Sequence, residues 1–169
     1  ELALCDSLTM IKNRLMVLDT QCNTREEVMG LTTGRSIDLL SQAAAMGDSF
    51  ALYKLGFVHL CENGAQSEKK KIGFWKQAAE MGNTNAMVNL AVCYLKGEGV
   101  SQDFKKAIEL YERAAEMGNT DAMFYLGACF DRGYGVSQDK MKAIRLYQIA
   151  SDFGHAGAMN NLGVCYEKG

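Results

Sequence analysis

Residues 83–118 read NTNAMVNLAVCYLKGEGVSQDFKKAIELYERAAEMG, and residues 119–154 read NTDAMFYLGACFDRGYGVSQDKMKAIRLYQIASDFG. Set one beneath the other, the two 36-residue stretches need no gap and share 19 identical positions. These include the runs Asn-Thr, Ala-Met, Gly-x-Gly-Val-Ser-Gln-Asp and Lys-Ala-Ile. A fixed period of this length marks a repeat architecture, in which one supersecondary unit is stacked on copies of itself.

Outward from this pair, residues 48–82 form a third copy, one residue short around Asn63-Gly64. Residues 155–169 open a further copy and stop after its first helix. Residues 36–47 supply the second helix of an earlier unit, ending Ala43-Ala44-Ala45-Met46-Gly47. The chain thus divides into residues 1–34, which lack the pattern, and a repeat region over 35–169.

Each unit reads as a helical hairpin. Ala86, Leu90 and Tyr94 recur at i, i+4, i+8, and Ala107, Leu110, Tyr111 and Ala114 at i, i+3, i+4, i+7, both of which are single helical faces. Helices are expected near 85–95 and 103–117. Gly97 and Gly99 break the chain between them, and Ser101 or Asp103 can cap the second helix. Gly118 suits a left-handed helix end, and Asn119 or Thr120 can cap the next helix. One such hairpin cannot bury its apolar face alone, so units must stack. The expected class is all-α, built from antiparallel helix pairs.

In the first 34 residues, Leu4, Leu8, Ile11, Leu15, Leu18 and Cys22 keep a 4-3-4-3-4 spacing, an amphipathic helix. Thr24-Arg25-Glu26-Glu27 is a capping-box signature for a short following helix. This segment reads as an N-terminal cap on the repeats. A heptad seam for a partner helix or for self-association is the alternative. The first residue is Glu and the last repeat is incomplete, so the chain reads as a fragment of a longer one. The incomplete C-terminal repeat is a second route to self-association.

Composition is that of a globular protein, with 48% hydrophobic and 22% charged residues and a net charge of −2. Such a balance gives no basic footprint for nucleic acid. The longest like-charge run, Lys69-Lys70-Lys71, reads as a solvated face. No apolar stretch approaches the roughly 18 residues of a membrane span, so direct membrane insertion is not expected. Cys93, Cys129 and Cys165 recur at one repeat position, a repeat's width apart, which is too far for the ~5.5 Å Cα separation of a disulfide. They read as reduced core fillers in a cytoplasmic setting. A Cys5–Cys22 bond remains open.

The residues hold no constellation for catalysis. His59 and Cys61 point to different sides of a helix, no Cys-x-x-Cys pair occurs, and His155 at a repeat junction is expected to be exposed, so neither metal nor cofactor is expected. Gly97-x-Gly99 and Gly133-x-Gly135 follow helices rather than strands, and Gln102 and Gln138 stand where a dinucleotide loop needs its third glycine. They read as turns.

The run Ala-x-x-x-Leu-Gly-x-x-Tyr, then Gly-x-Gly-Val-x-x-Asp, then Lys-Ala-x-x-x-Tyr-x-x-Ala-Ala-x-x-Gly resembles the Sel-1-like repeat family, relatives of tetratricopeptide repeats. The likeness covers residues 36–169. Copy 48–82 departs from it: Gly97 has no equivalent there, Lys71 replaces the helix-two Ala, and Trp75 replaces Tyr111. The resemblance implies an α-solenoid, a right-handed superhelix with the first helices lining its concave side. It also implies a non-catalytic scaffold or adaptor that assembles protein complexes, for example in signalling. The alternative is an accessory or regulatory region of a larger enzyme or membrane-associated complex. A cysteine-rich branch of the family linked to penicillin binding carries cysteines in both helices of each unit, whereas the second helices here have none.

On a helical wheel at about 100° per residue, Ala86, Met87, Leu90, Ala91 and Tyr94 form the packing face. Asn85, Asn89, Val92 and Lys96 fall nearly opposite. The equivalent rows are Asp121, Tyr125, Ala128 and Arg132, then Gly157, Asn161, Val164 and Lys168, with Phe50, Lys54, Phe57 and Cys61 in the short copy. These positions vary between copies while the packing positions do not. Lys54, Phe57, Asn85, Asn89, Val92, Lys96, Asp121, Tyr125, Arg132, Asn161 and Lys168 are the expected contacts for a protein or peptide ligand. Amides there suit a peptide backbone, and the cations suit carboxylates.

Overall fold

The structure, a computed structural model, describes residues 34–60 and 65–167. The helices expected in residues 1–34, apart from Gly34 itself, and Cys5, Cys22, Cys61 and Lys168 lie outside the described residues. Among the described residues eight helices run in order: α1 (Gly34–Ala45), α2 (Ser49–Leu60), α3 (Ala65–Glu80), α4 (Thr84–Lys96), α5 (Phe104–Glu116), α6 (Thr120–Arg132), α7 (Lys140–Asp152) and α8 (Ala156–Glu167). No strand occurs among the described residues. The helices α4 and α5 begin and end within a residue of the limits that the periodicity predicts.

Two compact units divide the chain between Asn83 and Thr84. In the first unit, Leu40 and Ala43 of α1 pack with Ala51, Leu55 and Val58 of α2, and Phe74 of α3 lies against them. Gly56 lets the Trp75 ring lie directly on the α2 backbone, where any side chain would collide with the indole. The indole nitrogen donates to the Tyr53 carbonyl at 3.2 Å.

The second unit repeats one motif. Ala86, Ala107, Ala114, Ala122, Ala143, Ala150 and Ala158 have no exposed surface, and Tyr111 and Tyr147 fill the spaces that these small residues leave. At Gly127 a Cβ would stand 2.9 Å from the Tyr147 ring and 3.4 Å from the Ala143 carbonyl, so α6 and α7 approach to backbone contact. Cys93 and Cys129 are buried and Cys165 is half-buried, the core-filling role expected of them.

The connections explain the rest of the repeated sequence. Gly133, at φ +74°, takes the left-handed conformation that ends α6, and its N–H reaches the Cys129 carbonyl at 2.8 Å. The Gln138 amide then donates to the Asp131 carbonyl, and the Asp139 N–H to the Phe130 carbonyl at 2.9 Å. Asp139 accepts from the Lys142 N–H at 2.9 Å and so caps α7. Gln102 and Asp103 do the same after α4. Gly-x-Gly-Val-Ser-Gln-Asp is therefore a helix stop, a carbonyl cap and a helix start in seven residues, and its glycines serve the turn.

One lysine of the first unit departs here from expectation. Lys71, read as part of a solvated run, is 2% exposed, and its ammonium meets Glu68 at 2.7 Å and lies 5.5 Å from the Trp75 ring. Its long apolar stem fills the place that alanine holds in the other copies, with the charge carried to the edge.

Leu126, 5% exposed between layers of the second unit, gives the packing test. Leu126→Ala should cost about 2–5 kcal/mol. Chemical denaturation with an unchanged m-value would establish it.

Candidate functional site

Four residues at successive repeat junctions do more than the sequence indicates. The Asn119 N–H closes α5 by reaching the Ala114 carbonyl at 3.0 Å, beside Gly118 to Ala115 at 2.9 Å. Its side-chain oxygen opens α6 by accepting from the Ala122 N–H at 2.9 Å. Its amide nitrogen reaches back across a whole repeat to Thr84 Oγ1 at 3.1 Å and Asn85 Oδ1 at 2.9 Å. Asn83 likewise closes α3 on Ala78 and donates to the Ser49 carbonyl. Asp48 closes α1 on Ala43 and caps α2.

At the next junction the residue is His155. Its N–H closes α7 on the Ala150 carbonyl, and its Nδ1 accepts from the Ala158 N–H at 3.0 Å. Its Nε2 meets Asp121 Oδ1 at 3.2 Å, and the ring stacks on Phe124 at 4.5 Å. His155, expected to be exposed, is a half-buried helix cap. An acceptor at Nδ1 and a donor at Nε2 reproduce the two ends of an asparagine amide, so histidine can stand in for asparagine here.

These contacts alter the row opposite the packing face. Asn85 and Asp121 are exposed but serve as anchors for the junction residues. Tyr125 stacks on Tyr111 at 5.6 Å, and Asn161 hydrogen-bonds to the Tyr147 hydroxyl. Val92 is half-buried. Lys96 and Arg132 stand at the helix ends in solvent, Lys96 3.5 Å from Glu98 and Arg132 over the Tyr134 ring at 6.0 Å. Asn89 is half-buried, and its side-chain nitrogen is enclosed without a hydrogen-bond partner among the described residues.

In the first unit the expected solvent-facing row is corrected. Lys54 is 7% exposed, with its ammonium 5.0 Å from the Phe50 ring and 5.8 Å from Tyr53. Aromatic neighbours one and four residues before it fold over the stem, which the wheel alone does not register. Phe57 packs edge-on against Tyr53 at 5.0 Å and Trp75 at 5.5 Å.

Burial also sets the acid–base behaviour. It pushes the Cys129 thiol up from 9.0 to about 11, and it raises Tyr111 and Tyr147 as well. A thiol of this kind is a poor nucleophile at neutral pH. Among the described residues no group of His, Cys, Asp and Glu side chains is placed to hold a metal ion. No helix among them is long and apolar enough to cross a membrane.

This fold, hairpins joined by capped glycine turns and keyed by small residues against aromatics, defines a helical repeat protein. The model of the Sel1 repeat matches residues 33–48, 49–83, 84–119, 120–155 and 156–169, one residue out of step with the frame read from the sequence. The chain belongs to the Sel1 repeat family, whose repeats generally mediate protein–protein interaction. Among solved structures it is similar to a protective antigen present in uropathogenic Escherichia coli strains, at 27% identity and a TM-score of 0.75. That match covers 81% of this chain but only 30% of the antigen. A Sel1 repeat protein from Oxalobacter formigenes shares 24% identity at a TM-score of 0.67, over 75% of this chain and 51% of the other. Helicobacter pylori cysteine rich protein B shares 21% at 0.60, over 83% and 98%, a likeness of fold. No functionally curated protein matches the sequence.

Two expectations follow. His155→Ala should cost about 1 kcal/mol, while His155→Asn should restore most of it, as read by thermal melting and by amide exchange in α8. Cys129 keeps its proton more tightly when folded, so its contribution is complete below pH 9.0 and is lost as pH rises toward about 11. The buried tyrosines act in the same sense. A stability profile that is flat from pH 7 to 9 and falls above it is expected in denaturant titrations.

Proposed function

We propose that the chain is a non-catalytic scaffold that holds an extended peptide or protein segment along the outer row of α4, α6 and α8. The observation that supports this most is Asn89. Its amide nitrogen donates to nothing among the described residues, although buried polar groups are almost always paired. Turning the side-chain amide outward would offer it to a backbone carbonyl of a ligand. Lys96 and Arg132, solvent-facing at the ends of α4 and α6, would then meet acidic side chains or a terminal carboxylate. Tyr125, 38% exposed and braced on Tyr111, supplies a rigid aromatic surface between them. Cysteines packed in the core one repeat apart suit a reducing, cytoplasm-like compartment.

The test is selection of binders from a random peptide library, followed by titration against row variants. Asn89→Leu should leave the melting temperature unchanged or raise it, because it removes an unpaired buried donor. The same change, and Arg132→Gln, should each weaken binding at least about tenfold, or ~1.4 kcal/mol. Selected peptides that bind both variants as tightly as the parent would defeat the reading.

A further inference from the structure

Helices α5 and α7 hold the same place in successive repeats, and their buried and capping residues are alike. The outward row of α5 reads Lys105, Glu109, Arg113 and Met117. These side chains are exposed although α6 and α7 follow them, so the row faces outward by its place in the repeat. On α3 the same row holds Lys69 and Gln77, again exposed. On α7 it reads Met141, Arg145, Ile149 and Phe153, with Met141 64%, Ile149 43% and Phe153 71% exposed. One apolar side chain in the row of α5 is thus replaced by three in α7, and Arg145 and Gln148 stand where α5 has Glu109 and Glu112.

We infer that the row of α7 is a contact between two copies of this chain, whose α7 helices cross antiparallel at Ile149. The reason is self-complementarity. At about 1.5 Å and 100° per residue, Arg145 stands ~6 Å before Ile149 along the axis and Asp152 ~4.5 Å after it, both turned to one side of the row. Leu146 and Phe153 stand at matching distances on its other side. A two-fold axis lying across the crossing exchanges before and after but keeps the sides. It therefore sets Ile149 on Ile149, each Arg145 against the other copy's Asp152, and each Phe153 ring on the other copy's half-buried Leu146. The Gln148 amide, 2.8 Å from Asp152 Oδ1, holds that carboxylate along the face. The same crossing on α5 would set Arg113 on Arg113 and Glu109 against Glu116, like charges in both places. The contact lies on a second helix of a hairpin, whereas the ligand row runs along α4, α6 and α8, so either can fail without the other.

A single helix crossing covers well under the ~800 Å² per partner of a standard interface, so a weak, reversible dimer is expected. Sedimentation equilibrium of the 169-residue chain, from micromolar to millimolar concentration, reads it. Ile149→Arg puts the α5 residue in its place and should weaken the dimer at least about tenfold, with the melting temperature unchanged because the position faces solvent. Arg145→Asp and Asp152→Arg should each weaken it by about tenfold, since each change acts twice across the two-fold axis, and the double swap should restore it to within about threefold. Met141→Lys, ~12 Å from the crossing along the axis, should change it less than about twofold. A chain that stays monomeric throughout overturns the inference, including one whose α7 row instead carries it onto phosphatidylserine vesicles. So does association that Ile149→Arg leaves intact, the result if the N-terminal segment or another face pairs the copies. A double swap that stays as weak as either single change overturns it as well.

Discussion

The architecture of the second unit depends on the contact of an aromatic ring with a helix backbone. Tyr147 reaches the α6 main chain because residue 127 is glycine, and that approach sets the separation of the two helices. Alanines without exposed surface at 122, 143 and 150 follow from the same closeness, since nothing larger fits between backbones at that distance. In the first unit Gly56 and Trp75 make the equivalent contact with a larger ring. Hydrophobic burial drives the assembly, but the small residue opposite the ring fixes its geometry.

The junction residues then fix the register of one repeat against the next. Asn119 and His155 each close a helix with the main chain, open another with a side-chain acceptor, and reach back one repeat with a donor. Helix ends need such partners in any case, because their terminal N–H and C=O groups lack intrahelical bonds. Using one side chain for both the cap and the tie to the preceding repeat makes helix termination and repeat stacking a single event. The row opposite the packing face is consequently of two kinds. Asn85, Asp121 and Asn161 carry structural bonds, whereas Lys96 and Arg132 project at the helix ends and the Asn89 amide nitrogen has no partner among the described residues.

Much of this was legible in the sequence, for identifiable reasons. Gapless identity between 83–118 and 119–154 reveals the repeat, the 3.6-residue spacing of Ala86, Leu90 and Tyr94 reveals the helix, and Gly118 with Asn119 marks its end. What escaped is contact across the stack. The bond from Asn119 to Asn85 spans 34 residues and exists only once the layers have their spacing. His155 looked like an exposed junction residue because the ability of imidazole to mimic an amide depends on Asp121 and Ala158 standing on either side of it. Lys54 and Lys71 looked solvated because a wheel assigns charge to the outside and is blind to aromatic rings folding over the stem. The place of the row on its helices follows from its phase, but which of its members are tied to a repeat junction does not.

The most direct test of the governing contact is a size-swap cycle at Gly127 and Tyr147, followed by equilibrium unfolding. Gly127→Leu pushes the ring away and Tyr147→Ala empties its place, so each alone should be strongly destabilising. If ring and glycine set the helix separation together, the double variant should be more stable than the sum of the single losses by more than ~1 kcal/mol, because the leucine occupies the space the ring leaves. Strict additivity of the two losses would contradict the account.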